Sequence, residues 1–229
     1  INNNNNLYFN TLYIGGDGNG GTNNSYALYS TGTANTRNFL NNIFFNARST
    51  TFGLDLHYAA YIVSTGGSIT CDFNDYLASG SYAATLGYYG GNKTTLPIVT
   101  GQDVSSFAIN PNLSSPGGTS AGNYLPSAAS LVAVTGTGIT TDYDGGPARS
   151  GTYPSMGAFE YTVAPGAWTW TGSSTTNWST AANWNYNTVP PSSGDAIIAD
   201  VTNDPIVNEA AATPAECQNL TINSGAILT

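Results

Sequence analysis

Charge is what this sequence has least of. Charged residues make up 7% of it, against a usual ~25% in soluble proteins. The cations are Arg37, Arg48, Lys93 and Arg149, and they face 13 acidic residues for a formal net charge of -9. So few cations cannot form the basic patch that nucleic acid requires, and they offer nothing to an anionic membrane surface. No stretch approaches the ~18 consecutive apolar residues of a spanning helix, so membrane insertion is not expected. Helical periodicity is also missing, because no long window repeats apolar residues at 3.6 spacing. The two cysteines, Cys71 and Cys217, form no CxxC pair and therefore no thiol metal or redox motif. They read as free thiols. A disulfide stays open for an extracellular chain, although their separation argues for two different modules.

What replaces charge is Asn, Thr, Ser and Gly, together with 15 Tyr, 8 Phe and 4 Trp. That many aromatics argues for an ordered chain rather than a disordered one. Short β-type runs such as LYFNTLYIGG, SYALYS, NNIFFNA, AAYIVS, SITCDF, LPIVT, LVAVTG and AIIAD alternate with Gly/Asn/Ser/Pro clusters, the pattern of short strands and tight turns. The runs recur every roughly 12–18 residues, which is no clean repeat and leaves a β-sandwich open as a rival. Asn38, Asn41, Asn42 and Asn46 flank apolar strand residues. Sharp coil corners need residues that tolerate left-handed backbone, and stacked Asn amides hydrogen-bond from coil to coil. Asn41 and Asn42 are the expected ladder.

Four segments in order carry a resemblance: TRNFLNNIFFNARS (36–49), CDFNDYLASGSYAATLGYYGG (71–91), GQDVSSFAINPNL (101–113) and TTDYDGGPARSGTYPSMGAFEY (140–161). They resemble the coils and terminal motif of secreted bacterial β-helix repeat proteins of the choice-of-anchor surface class. Met156 stands where the terminal motif has isoleucine, and Phe159 precedes its acid. Pro126-Ser127-Ala128 replaces the family's Ser-Pro-Ala segment. A second segment reads WTWTGSSTTNWSTAANWNYNTVPPSSGDAIIAD, then NDPIVN and ECQNLTINSGAILT. It is similar to a Trp/Asn-Trp module found in tandem in giant adhesins of the same class. The resemblance implies an all-β chain: a right-handed parallel β-helix with its C-terminal coils and cap over 1–162, a linker at 163–167, and the incomplete start of a second β-solenoid-like module over 168–229. In that module Leu220, Ile222 and Leu228 are expected to face inward. The chain begins at Ile1 and breaks off in a strand-turn-strand pattern, so it is expected to be a fragment of a longer polypeptide. Export to the cell surface by the type IX route, with a sorting domain beyond Thr229, is what the family implies.

Several residue groups are candidates for chemistry. Asp142-Tyr143-Asp144-Gly145 opens like a calcium loop, but the remaining ligands of such a loop are missing. The competing reading is a structural clamp in which Arg149 pairs with Asp142 or Asp144 and with Glu160. No resident cofactor is expected otherwise. Asp55, Asp72, Asp75 and Asp103 supply carboxylates for a glycosidase pair, although nothing in the sequence brings two of them together. Lyase chemistry would need cations to neutralise a uronate, and Lys93, Arg37, Arg48 and the single histidine, His57, are a poor supply. Tyr88, Tyr89, Trp168 and Trp170 are the candidates for stacking on sugars; the opposing reading packs the four Trp against one another. The leading expectation is a non-catalytic structural and adhesive segment whose partners are further modules of the same polypeptide, extracellular glycans or secretion machinery. A polysaccharide-processing enzyme, lyase or glycosidase, or its binding arm, is the alternative. Ice or mineral binding ranks last, because Thr50-Thr51 and Thr94-Thr95 form no regular array.

Overall fold

A computed structural model describes residues 5–18, 23–31, 35–51, 55–63, 66–81, 84–128, 130–134, 136–145, 149–151, 154–160, 167–186, 188–192, 194–207 and 215–229. The chain is nearly all β, with parallel sheets stacked as a β-solenoid of about 5 turns. It divides into two compact units, Ile1–Tyr161 and Thr162–Thr229. The expected linker falls almost wholly at 161–166, outside the described residues.

The first unit is made of short aromatic and β-branched runs broken at turn residues, which suits half-buried strands. The first coil holds β1 (Asn5–Tyr8), β2 (Thr11–Ile14), β3 (Asp17–Gly18) and β4 (Ser25–Ser30). The second holds β5 (Thr36–Leu40), β6 (Ile43–Asn46), β7 (Ser49–Thr50) and β8 (His57–Ile62). The third holds β9 (Ser68–Asp72), β10 (Asp75–Ala78) and β11 (Ala84–Tyr88), after which β12 (Asn92–Lys93) turns back antiparallel on β11. Sheets run β1-β5-β9, β2-β6-β10, β4-β8-β11-β12 and β3-β7. The register is strict. Asn5 pairs with Arg37 and Arg37 with Ile69, and Thr11, Ile43 and Asp75 align in the same way.

That register exposes a 32-residue coil, the separation across each rung of the corner ladder. Phe9, Asn41 and Phe73 all take left-handed backbone, with φ of 56°, 65° and 51°. The residue after each corner is a rung: Asn10, Asn42, Asn74 and then Ser106. Asn42 Oδ1 accepts from the Asn10 amide and side chain, both at 3.0 Å. Asn74 Oδ1 accepts from the Asn42 amide at 3.0 Å and its side chain at 2.9 Å. Ser106 Oγ accepts from the Asn74 amide at 3.1 Å and closes the series. Asn42 is thus a ladder residue, as expected. Asn41 is not. It is the corner itself, and its side chain binds the Val134 amide and carbonyl at 3.0 and 2.8 Å. Phenylalanine is a poor left-handed residue; Phe9 is buried and Phe73 packs on the same apolar cluster, which holds them there.

Side chains in register fill the core coil by coil. Phe39 and Cys71 align and are both fully buried, as are Phe44 and Tyr76. Leu28, Ala60 and Gly87 align in a third series that shrinks along the stack. Gly87 has a steric reason: a Cβ there would lie 2.6 Å from the Ile98 side chain, which is fully buried. LPIVT is therefore core filling rather than the strand its composition suggests. After Ser106 the chain folds back across the coils. Gly157 donates to the Asn41 carbonyl and Ala158 to Thr11 Oγ1. LVAVTG supplies one isolated bridge, Val132 to Ser155, and among its described residues no strand.

The second unit carries a three-stranded parallel sheet, β13 (Trp168–Trp170), β14 (Ala196–Ile198) and β15 (Leu220–Ile222). Its core holds all four Trp side chains, each at most 3% exposed. Leu220 and Ile222 were expected inside but are 44% and 48% exposed, because β15 pairs on one side only and nothing described covers its outer face. Leu228 is half-buried.

The ladder makes a direct prediction for paired variants. Asn42→Ala removes the acceptor of the half-buried Asn10 amides and the donors to the Leu7 carbonyl and Asn74, and should cost roughly 2–4 kcal/mol. Asn38→Ala, which removes an exposed Asn–Asn contact, should cost less than about 0.5 kcal/mol. Urea unfolding of both variants distinguishes a ladder from a merely Asn-rich strand; equal losses would contradict the ladder.

Candidate functional site

The segment that folds back leaves an open trench where it meets the first coil. Its centre, a cleft of about 390 Å³, is lined by Asn10, Thr11, Thr119, Ser120, Tyr124, Tyr143 and Phe159. A cleft of about 300 Å³ adjoins it through Asn10, Tyr143 and Ala158 and reaches Asp142 and Ile139. Another of about 470 Å³ adjoins it through Thr11 and Tyr124 and reaches Tyr13 and Tyr26. Tyr143 is 72% exposed and meets Phe159 edge-on at 5.7 Å. Tyr124 tilts against Tyr13 at 6.4 Å and donates its hydroxyl to the Gly118 carbonyl. Rings alternating with amides and hydroxyls are the equipment of a site for a polar but uncharged ligand.

Arg149 borders this trench but has nothing free to offer a ligand. Its Nε donates to the Thr141 carbonyl. Nη1 donates to the Ser155 carbonyl and, at 3.4 Å, to Glu160 Oε2. Nη2 donates to the carbonyls of Gly157 and Ala158. All five guanidinium N–H groups are used, and the cation also lies 3.9 Å over the Phe9 ring. Burial pulls the guanidinium below its ordinary pKa, while Glu160 and Asp142 oppose the shift. Glu160 Oε2 also accepts the Ser155 amide and Oε1 the Ser150 amide. Asp142 joins indirectly, accepting the Glu160 amide at 3.3 Å. Asp144 corrects the expected clamp: it is exposed, and the Arg149 donors are already taken by Glu160 and four carbonyls. Among the described residues no cluster of three or more His, Cys, Asp or Glu is placed to hold a metal.

Trp168 and Trp170 also need correction as sugar platforms. Trp170 meets Trp184 edge-on at 5.2 Å and donates Nε1 to the Asn203 carbonyl. Trp168 meets Tyr186 edge-on and donates to Thr188. Their faces are spent inside the second unit. Tyr89 packs partly buried against the first core. Tyr88 stacks flat on Tyr61, centroids 4.2 Å apart and planes 6° from parallel. Tyr61 in turn touches Tyr26, Tyr29 and Tyr58, each at 5.3 Å. Parallel in-register strands set like residues over one another, so Tyr26-x-x-Tyr29 stands over Tyr58-x-x-Tyr61. The repeated Y-x-x-Y spacing was the sequence signal for this cluster. The trench itself had a weaker signal, a bulky Tyr143 set between two aspartates in a turn that cannot bury it.

Of the carboxylates considered as a glycosidase pair, Asp72, Asp75 and Asp103 accept hydrogen bonds beside the third-coil corner. Asp55, Asp75 and Asp103 are buried. Asp103 accepts from Tyr76, Ser106 and the Val99 amide, and Tyr76 also meets the Cys71 thiol at 2.9 Å. Burial pushes the Asp103 carboxyl, the Cys71 thiol and the Tyr76 phenol upward. Asp72 receives the amides of Phe73 and Ser105. Cys71 and Cys217 are free, the first buried and the second half-buried. His57 is buried against Ser25 through Nδ1, with Nε2 unpartnered, and burial lowers its pKa.

These features define a β-solenoid with an aromatic-rimmed trench. Residues 169–229 match the model of a domain of unknown function, DUF8693. No curated protein and no solved structure matches the chain.

Asp75 generates a pH prediction. One of its oxygens takes the Ile109 amide and the other is buried without a partner; burial pushes its carboxyl up to about 7, against the weaker opposing pull of that amide. The folded state therefore keeps a proton that the unfolded chain releases near pH ~4. This stabilisation is fully present below that value and is lost as pH rises through about 7, a change on the order of a few kcal/mol. Asp75→Asn should match the parent in urea near pH ~4 and exceed it above pH ~7. Equal stability of the two chains at the higher pH would contradict a buried Asp75 whose carboxyl is pushed up to about 7.

Proposed function

We propose that this chain is a non-catalytic, adhesive segment of a larger secreted bacterial surface protein, and that it holds a neutral glycan in the trench along its first coil. The observation that carries the reading is the trench itself. Exposed Tyr143 and half-buried Tyr13, Tyr26 and Tyr124 rim it, with Asn10, Thr11, Thr119 and Ser120 between them. Ring faces pack on the C–H faces of sugars, and amides and hydroxyls bond sugar hydroxyls. The ligand's charge follows from the chain's. Asp142 lines one end, Arg149 is saturated, and the net charge is -9, so an acidic polymer meets repulsion without compensating cations. A scarcity of charge and an abundance of amide and hydroxyl groups suit a segment displayed outside the cell. The resemblance to surface β-helix proteins supports export, with further modules of the polypeptide as its neighbours.

The test is retention on a panel of immobilised polysaccharides: neutral β-glucan, xylan and mannan beside acidic alginate and pectate. At least one neutral polymer should bind and neither acidic one. Tyr143→Ala should weaken that binding by about 1–1.5 kcal/mol, roughly tenfold, with unchanged thermal unfolding. Binding to acidic polymers alone, or full affinity in Tyr143→Ala, would sink the reading.

A further inference from the structure

The tyrosine cluster of the first unit shares only Tyr26 with the trench lining, and its geometry suits a covalent reaction rather than ligand binding. Ring faces that stack on one another are not available to a sugar. Tyr61 is the hub, in contact with Tyr26, Tyr29, Tyr58 and Tyr88. Tyr29 is 47% exposed and gives an oxidant a point of entry. Tyr61 and Tyr88 are the closest pair and nearly parallel, at 4.2 Å and 6°. They sit at the same register position of adjacent coils, so their ring carbons beside the hydroxyls are held face to face.

We propose that Tyr61 and Tyr88 form a site of oxidative tyrosine–tyrosine cross-linking that staples the second coil to the third. Each phenol gives up one electron and its hydroxyl proton. The two phenoxyl radicals join ring carbon to ring carbon at the positions ortho to oxygen. The ring hydrogens at the new bond then move to the oxygens and restore both phenols. The two electrons and two protons reduce one hydrogen peroxide to two waters through a haem peroxidase, the class of oxidant the step requires. Exposed Tyr29 passes oxidation inward through its contact with Tyr61, and the proximity of Tyr88 directs coupling within the chain.

The experiment treats the full chain with a haem peroxidase and hydrogen peroxide, then isolates the monomer band. Cleavage before aspartate puts Tyr61 in segment 55–71 and Tyr88 in segment 75–102. The two segments should remain joined, lighter by two hydrogens than their sum, with dityrosine fluorescence. Tyr88→Phe and Tyr61→Phe keep the ring but remove the phenol, and each should abolish that linkage. Tyr143→Phe should leave it intact. Coupling confined to other tyrosine pairs, dimers through Tyr143 without the internal link, or an equal yield from the urea-unfolded chain would overturn the proposal.

Discussion

The asparagine ladder is the constraint from which the rest of the first unit follows. Each rung satisfies a backbone amide that a sharp left-handed corner would otherwise bury unpaired, and such an orphan costs about as much as several ordinary hydrogen bonds gain. The rungs fix one coil over the next with no freedom to slip. A slip by one residue would exchange inside for outside along every strand. With register fixed, like stands over like: aromatic over aromatic in the core at Phe44 and Tyr76, and tyrosine over tyrosine outside it. Ser106 and Asp103 close the ladder on the third-coil side, where Ile98 replaces the next coil's side chains.

The scarcity of charge becomes intelligible in the same terms. A solenoid core is narrow and every corner lies close to it, so a charge near the corner must be fully satisfied or neutral. Arg149 shows the first solution, with five donors placed on carbonyls and one carboxylate. Asp75 shows the second, a carboxyl that burial pushes up to about 7 and so keeps neutral below that pH. Amides and hydroxyls fill most other buried polar positions, Arg37 and Asp55 being exceptions, because they bond the backbone without a desolvated charge. The Arg149 clamp also builds the trench. It fixes the returning segment against Phe9 and thereby sets Tyr143 and Phe159 opposite the first coil.

Most strands of the first unit were legible in the sequence because they depend on local chemistry, aromatic and β-branched runs; the corners were not, because two of the three left-handed residues there are Phe9 and Phe73. The pairing of Arg149 with Glu160 was legible because a buried cation needs a partner and few acids were near. The 32-residue period was not, since only the ladder position and the Y-x-x-Y pair repeat while the core residues vary in size. Leu28, Ala60 and Gly87 occupy one register position, and no residue-type periodicity links them. Asn41 and Asn42 look alike in sequence, yet one is the corner and the other the rung; the difference is a backbone dihedral. The tryptophans of the second unit were open to two readings because an aromatic residue is equally suited to a core or a binding face. Their burial and edge-on packing, against one another or, for Trp168, against Tyr186, decide for the core.

The measurement that tests the ladder most directly is native-state hydrogen exchange at single-residue resolution. The backbone amides of Asn42 and Asn74, held by the next rung, should be among the slowest in the first unit and should exchange only through its global opening. Amides at exposed positions of the returning segment, such as Ile139, should exchange orders of magnitude faster. Exchange at Asn42 and Asn74 as fast as at Ile139 would contradict the ladder as the constraint that holds the coils in register.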